Sequence, residues 1–267
     1  MLGQRASSLS GIAGVSHGFF GRVGGTSPQP WSGLNTSYTV MDSPARVNEN
    51  LARIRFQIGL APTALLAPHQ VHGCEIVEVT DEDSIDQIKA DAVFTTRKDI
   101  GIAVRTADCA PILLSDKNAR FVAAIHAGWR GAVADIMGAS VRAIGLRLDV
   151  PTTDMVAAIG PCIGKEQFQV GREVLDAAAQ LMPAEQFYYK QTEDKGFFDL
   201  RGFIQKRLEE LGIPHVEQVP GCTYSDTDTY FSHRNEQGNT GRQMSVIALC
   251  DAPGPVQEQM ELPEPII

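Results

Sequence analysis

Three short stretches hold the side chains with the means to do chemistry: "HQVHG" at 69–73, "TADCAP" at 106–111 and "HAGWRG" at 126–131. Each lies where an apolar run meets a turn. Imidazole and thiolate are the donors that zinc favours, and a catalytic zinc takes three protein ligands while leaving a fourth position open. One histidine of the first stretch, Cys109 and His126 would make such a set. Their separation is too wide for a zinc-finger pattern, so only the fold could assemble them. Taken singly, each has an ordinary reading: a buried cysteine usually behaves as a small inert hydrophobe. If the chain after Pro68 runs on as a strand, Gln70 and His72 share one face and His69 takes the other. The two histidines would then not chelate one ion, and spacing leaves open which of them serves.

The neighbours of these residues suit a ligand site. Gly128 and Gly131 permit close backbone approach. Trp129 could wall a pocket, and Arg130 offers a planar fork of donors for phosphate or carboxylate beside a helix N-terminus. Asp108, next to Cys109, is a candidate proton shuttle. Cys109 and His126 also fit a metal-free alternative, a cysteine nucleophile with a histidine base.

The elements around them read as follows. Residues 18–35, rich in Gly, Pro and Ser, suggest a long ordered loop or a ligand-facing one. Ser43 and Pro44 open a helix through Val47, Leu51, Ile54 and Ile58, with Gly59 as its stop. Between 74 and 126 come five short strands, "CEIVEV", "DAVFTT", "GIAVRT", "PILLSD" and "RFVAAIH". Residues 132–148 return to helical period. "DMVAAIG" is a strand and "GREVLDAAAQL" a helix. "DLRGFIQKRLEELG" is the clearest helix, capped by Asp199 and ended by Gly212. "QMSVIALC" is a final strand. With no internal repeat or linker, one α+β domain over 15–250 is expected, followed by a Pro-rich acidic tail, 251–267, with the composition of a poorly ordered extension.

Composition narrows the function classes. The 267 residues, 43% hydrophobic, are enough for a sizeable core. The net charge of −9 argues against non-specific nucleic-acid binding, which rests on phosphate neutralisation. Five widely spaced cysteines with no CxxC suit a reduced compartment. No secretion signal and no membrane-spanning run is evident, so the expected address is the cytoplasm. A monomer is the default expectation for the assembly.

Together the motifs "HQVHG", "TADCAPILL", "HAGWRG", "IGPCIG" and "FSHRNEQGNTGR", with "GGTSPQPWSGLN" and "VMDSPARVNENL" before them, resemble a known family over about residues 17–250. It is that of the bacterial laccase-domain proteins, also described as multicopper polyphenol oxidoreductases, purine nucleoside phosphorylases and peptidoglycan editing factors. The resemblance implies a metal held by His72, Cys109 and His126. It implies two packed mixed β-sheets flanked by helices, in α/β/β/α layers. It also implies that Asn35, Arg130 and the "NTGR" segment approach the site. Arg234 and Arg242 become candidate anion contacts, and Gln70 joins Asn35 and Arg130 as a substrate contact. His233 and Asn235 depart somewhat from the family pattern.

The family labels differ in the chemistry they demand. A four-copper oxidase needs many imidazoles, often as His-x-His pairs; this chain has six histidines and no such pair. Thiolate accommodates copper as well as zinc, but redox-inert zinc is the better match. The favoured expectation is zinc-dependent phosphorolysis of adenosine, inosine or methylthioadenosine, with nucleoside and phosphate as small-molecule partners. Adenosine deamination ranks just below it. It needs a metal-activated water and a carboxylate shuttle, and the usual deaminase Glu, two residues after the zinc His, is Gly128 here. The alternatives are an amidase editing a nucleotide-linked peptidoglycan precursor, a copper-dependent polyphenol oxidase, the cysteine hydrolase and a non-catalytic nucleoside binder.

Overall fold

The computed structural model describes residues 3–60, 65–80, 85–98 and 100–251. In chain order its elements are β1 (Gly3–Gln4), α1 (Ser7–Ser10), β2 (Val15–Phe20), α2 (Pro44–Gln57), β3 (Leu65–Leu66), β4 (Ile76–Glu78), β5 (Ala92–Thr95), β6 (Gly101–Thr106), β7 (Ala110–Asp116) and β8 (Val122–Ala127). Then come α3 (Trp129–Val133), α4 (Ile136–Leu148), β9 (Met155–Ile159), β10 (Gln169–Gly171), α5 (Arg172–Ala179), β11 (Tyr188–Lys190), β12 (Lys195–Phe198), α6 (Leu200–Glu210), β13 (His215–Gln218) and β14 (Gln243–Leu249).

Two large sheets form, ordered β1-β2-β14-β6-β3 and β13-β9-β7-β8-β5-β4, beside a small β10-β12-β11 sheet. Both large sheets are mixed: β3 runs parallel to β6, β4 to β5 and β13 to β9, and the other pairs are antiparallel. Their strands are apolar on both faces because both faces are covered. Along β8, Val122 and Ala124 enter the layer between the sheets with Ile102, Val104, Leu113 and Ile247. Ala123 and Ile125 face the other way, onto α4 and α6 through Val141, Ile144, Phe203 and Leu208. On the far side Ala103, Met244 and Val246 meet Val47, Leu51 and Ile54 of α2. The protein is one α+β domain with layers helix, sheet, sheet, helix. Each fully buried Leu, Ile or Phe in these seams stabilises by about 1.5–3 kcal/mol relative to exposure.

Local signals account for most helix ends. Pro44 begins α2, and Gly59 follows it with φ +73°. Ser43 holds the cap position, yet its side chain makes no cap bond; its N–H donates to Asp42 instead. Asp199 caps α6 by accepting from the Gly202 N–H. The stretch expected as one helix over 132–148 is two. Asp135 breaks it with φ +66°, caps α4 through the Gly138 N–H, and pairs with Arg207 of α6 at 2.9 Å. The tail expected at 251–267 lies outside the described residues beyond Asp251. Among the described residues no helix is long and apolar enough to cross a membrane.

Candidate metal centre

Three chain segments converge at one edge of the sheets. The loop before β4 carries His72, the link from β6 to β7 carries Cys109, and the last turn of β8 carries His126. His126 continues the Val122–Ala124 face, so it closes the end of the inter-sheet layer. The ligand atoms of the three lie within 4.8 Å of one another. Cys109 Sγ is 3.9 Å from His72 Nε2, and the two imidazoles meet edge to face with centroids 4.8 Å apart. Bond lengths of about 2.0–2.3 Å at tetrahedral angles separate two zinc ligands by roughly 3.4–3.7 Å. The three donors therefore fit a zinc or copper ion with only small side-chain adjustment.

A residue not anticipated from sequence organises this set. Asp91, fully buried just ahead of β5, accepts hydrogen bonds from the backbone N–H groups of Val71 (3.1 Å), His72 (2.9 Å) and Gly73 (2.7 Å). The same carboxylate lies 2.8 Å from His126 Nδ1, and the Asp91 carbonyl accepts from the His126 N–H. One side chain thus fixes the loop of one ligand and the ring of another, leaving His126 Nε2 free for a metal. Burial works against the Asp91 carboxylate, but His126 and the backbone donors hold its pKa below the ordinary range. The only prior signal was an Asp heading the apolar "DAVFTT".

The loop geometry corrects the strand reading of 68–73. His72 has φ +61° and lies outside any strand, so face alternation does not govern it. The three amides pinned to Asp91 set its direction. Asp108 also has positive φ, +93°, which turns the chain sharply between β6 and β7.

Charge couples the ligands. Burial opposes the Cys109 thiolate, but His126 beside it and hydrogen bonds from both histidines lower its pKa to about 6. Burial also opposes a charged His126; Cys109 and Asp91 raise it to about 9. Both shifts favour the ionised thiol, the form a metal binds.

Gly128 explains its motif. A Cβ there would sit 2.9 Å from Cys109 Sγ and 3.1 Å from His72 Cδ2. A side chain at this position, which carries Glu in a deaminase signature, would press on two of the three ligands. Gly131 is similarly close to the chain, its Cβ position 3.0 Å from the Gly73 carbonyl oxygen.

The cluster opens on a cavity of about 640 Å³. Trp129, Arg130, Phe168, His233, Arg234 and Arg242 line the part around it, and His69 and Gln70 also reach the wall. Arg130 stacks on Trp129 at 4.4 Å, and Arg234 lies 5.6 Å from the Phe168 ring centre. Arg242 donates to the carbonyls of Thr240 and Gly241. Burial pulls its pKa down, against the negative Cys109 and Asp108 nearby.

Two candidates do not stand free. Asn35 is fully buried, does not line the cavity, and spends its amide on Ser37, Asp42 and the Arg242 N–H. In this arrangement it seats the backbone of Arg242. Gln70 lines the cavity, yet its amide is paired at 2.8 Å in both directions with the backbone of Arg105. The 18–35 loop does not face the ligand space, whose lining begins at Ser37. Asp108 does line it, with its carboxylate accepting from Thr223 Oγ1, Ser232 Oγ and the Arg234 N–H.

Comparison with known proteins places the chain in a family. Residues 16–250 match the family model described as multi-copper polyphenol oxidoreductase laccase. The chain belongs to this laccase family. A relative in Escherichia coli (strain K12), named purine nucleoside phosphorylase YfiH, is 34% identical over 228 residues, covering 85% of this chain and 91% of that one. A Streptomyces coelicolor purine nucleoside phosphorylase is 33% identical over 244 residues, 91% of this chain and 97% of that one. The laccase-family fold recurs in the crystal structure of a Neisseria meningitidis protein (TM-score 0.84, 31% identity, 94% of this chain and 98% of that one). YlmD from Geobacillus stearothermophilus superposes with TM-score 0.86 at 26% identity, covering 94% and 99%. Despite the family's multi-copper label, the described residues hold a single three-ligand cluster.

Proposed function

We propose that this protein is a zinc-dependent purine nucleoside enzyme whose main reaction is phosphorolysis of adenosine, inosine or methylthioadenosine. The observation that carries the reading is the His72–Cys109–His126 cluster opening on an arginine-lined cavity large enough for a nucleoside and phosphate. The relatives named purine nucleoside phosphorylase support it. His72, Cys109 and His126 would hold the metal, which supplies Lewis acidity toward a substrate heteroatom. Arg242, half-buried beside Cys109 and Asp108, is assigned the phosphate, with Arg130 and Arg234 completing the anion cradle. Trp129 and Phe168 offer flat apolar walls to the purine. The phosphate oxygen attacks the ribose C1′ as the bond to the base breaks, and the arginines orient that oxygen while balancing its charge.

Deamination is less well served. A glutamate shuttle in place of Gly128 would press on two of the three ligands. The Asp108 carboxylate already accepts three hydrogen bonds that tie together the loops around residues 223 and 232–234. Asp108 is therefore assigned to positioning Arg234. A second reading has one observation in its favour: Cys109, His126 and Asp91 stand in the order nucleophile, base and orienting carboxylate.

Elemental analysis of the purified protein and of His72→Ala and Cys109→Ala, each then given adenosine and phosphate, tests the reading. The expected result is about one zinc per chain, lost in both variants together with adenine formation. Inosine as the product would shift the reaction to deamination. Turnover that survives chelation would replace the zinc reading with the cysteine hydrolase.

A further inference from the structure

The cavity contains a second cationic point. Arg105 lies on β6 on the same face as Ala103, which turns toward α2, whereas His126 enters from between the sheets. The two approach the cavity from different layers. Their charged surroundings differ as well: Arg242 feels Cys109 and Asp108, while Arg105 feels Tyr38 and Asp86. Arg105 shares the cavity lining with Tyr38 and Asp86, the groups it feels.

This arginine is built in. Its backbone is locked on both sides by the Gln70 amide, and its Nε donates to the Thr36 carbonyl at 2.9 Å. Burial lowers its pKa. Among the described residues its two terminal nitrogens have no hydrogen-bond partner, and no carboxylate stands within the 4.0 Å of an ion pair. Asp86 is the acid whose charge it feels, and the two form no ion pair. A part-buried guanidinium that turns unpaired donors to a cavity wall has hydrogen-bonding capacity left for a ligand. A bidentate oxyanion matches those donors in shape and charge.

We propose that Arg105 receives an oxyanion, carboxylate or phosphate, carried by the substrate itself, separate from the anion assigned to Arg242. This rests on the nucleoside reading and sharpens it: a purine nucleoside that carries a negative substituent gains affinity at Arg105 over its neutral parent. Arg105 and Arg242 both line the one cavity, whose volume is about 640 Å³.

Titration calorimetry on the metal-loaded protein tests this with adenosine, adenosine 5′-monophosphate and adenosine 5′-carboxylate against wild type, Arg105→Gln and Arg105→Lys. The wild type is expected to bind at least one anionic ligand about tenfold or more tightly than adenosine. Arg105→Gln should abolish that preference with adenosine affinity kept within about twofold, and Arg105→Lys should retain part of it. The two anions distinguish phosphate from carboxylate as the group received. Equal binding of neutral and anionic ligands by the wild type, or a preference that survives in Arg105→Gln, overturns the proposal. If no adenosine derivative binds, the nucleoside reading fails by itself. Arg105 is then judged on inorganic phosphate, whose affinity or stoichiometry must drop in Arg105→Gln; no change overturns the subsite. Unaltered zinc content and Tm in the variants exclude misfolding as the cause.

Discussion

His126 and His17 are both buried histidines on strands, 3% and 0% exposed, in β8 and β2 of the two facing sheets. Their chemistry is opposite. His126 has a carboxylate on one ring nitrogen and a thiolate near the other, and its pKa rises to about 9. His17 accepts one backbone hydrogen bond, from the Ala6 N–H at 2.8 Å, and among the described residues its Nδ1 has no partner. Burial, reinforced by Arg5 and opposed by Glu217, lowers it to about 4. Burial acts in the same direction on both rings, so the difference comes from the partners. A histidine on an apolar strand becomes a candidate ligand only when a neighbouring strand delivers an acid and a second donor.

Removing the acid should break this contrast most severely. Asp91→Ala leaves three backbone N–H groups and His126 without their acceptor in a buried site. The expected loss is about 3–5 kcal/mol in urea unfolding, the usual cost of deleting one partner of a buried pair. Asp91→Asn keeps the shape with less charge and should weaken zinc by about 10–100-fold in chelator competition. Wild-type zinc affinity in Asp91→Asn would show that Asp91 is only structural.

Asp91 also shows where sequence stops being informative. Strands β6 to β9 and helix α6 were legible because their apolar runs end at turn or cap residues. The ligand trio became legible only when "HQVHG", "TADCAPILL" and "HAGWRG" were taken together as a family pattern, since no spacing rule joins residues 72, 109 and 126. Asp91 carried no pattern of its own; its role arises from β5 lying beside β8. Asn35 makes a related point, because a motif residue beside a site can spend its side chain on backbone, here that of Arg242. The positive φ of His72 depends on the Asp91 contacts, so a strand rule applied to that loop could not recover it. Arg105 did leave a trace, a lone charge in the apolar "GIAVRT". The small β10-β12-β11 sheet left little, its strands being short and partly exposed.

The other histidine makes a pH prediction. An unfolded histidine titrates near 6.5 and folded His17 near 4. Between those values the unfolded chain takes up a proton that the folded one refuses, so stability falls as pH drops through this window. Above about pH 7 neither state is protonated there and no penalty applies. At about 1.4 kcal/mol per pH unit the full loss is on the order of 3 kcal/mol by pH 4. Urea unfolding of wild type and His17→Gln from pH 7.5 to 4.5 isolates this contribution. The wild type should lose stability faster than the variant; parallel curves would mean that His17 is protonated inside the fold and that the contrast with His126 is false.

The smallest expected effect concerns space instead of charge. Gly128 has φ −73°, so alanine suits the backbone, and any consequence is steric. Its Cβ would press on Cys109 Sγ at 2.9 Å and on His72 at 3.1 Å, displacing two ligands by a few tenths of an ångström. Gly73, equally close to the site in sequence, would place a Cβ no nearer than 3.6 Å to anything, an ordinary contact. Zinc affinity should therefore fall about tenfold, or 1.4 kcal/mol, in Gly128→Ala, and Gly73→Ala should stay within about twofold. Equal affinity in the two variants would mean that the ligands yield freely. The electrostatic hold of Asp91 and Cys109 on His126 would then be the only thing separating it from His17. Unequal affinity in the expected direction would add close packing as a second, independent reason that one buried histidine binds metal and the other does not.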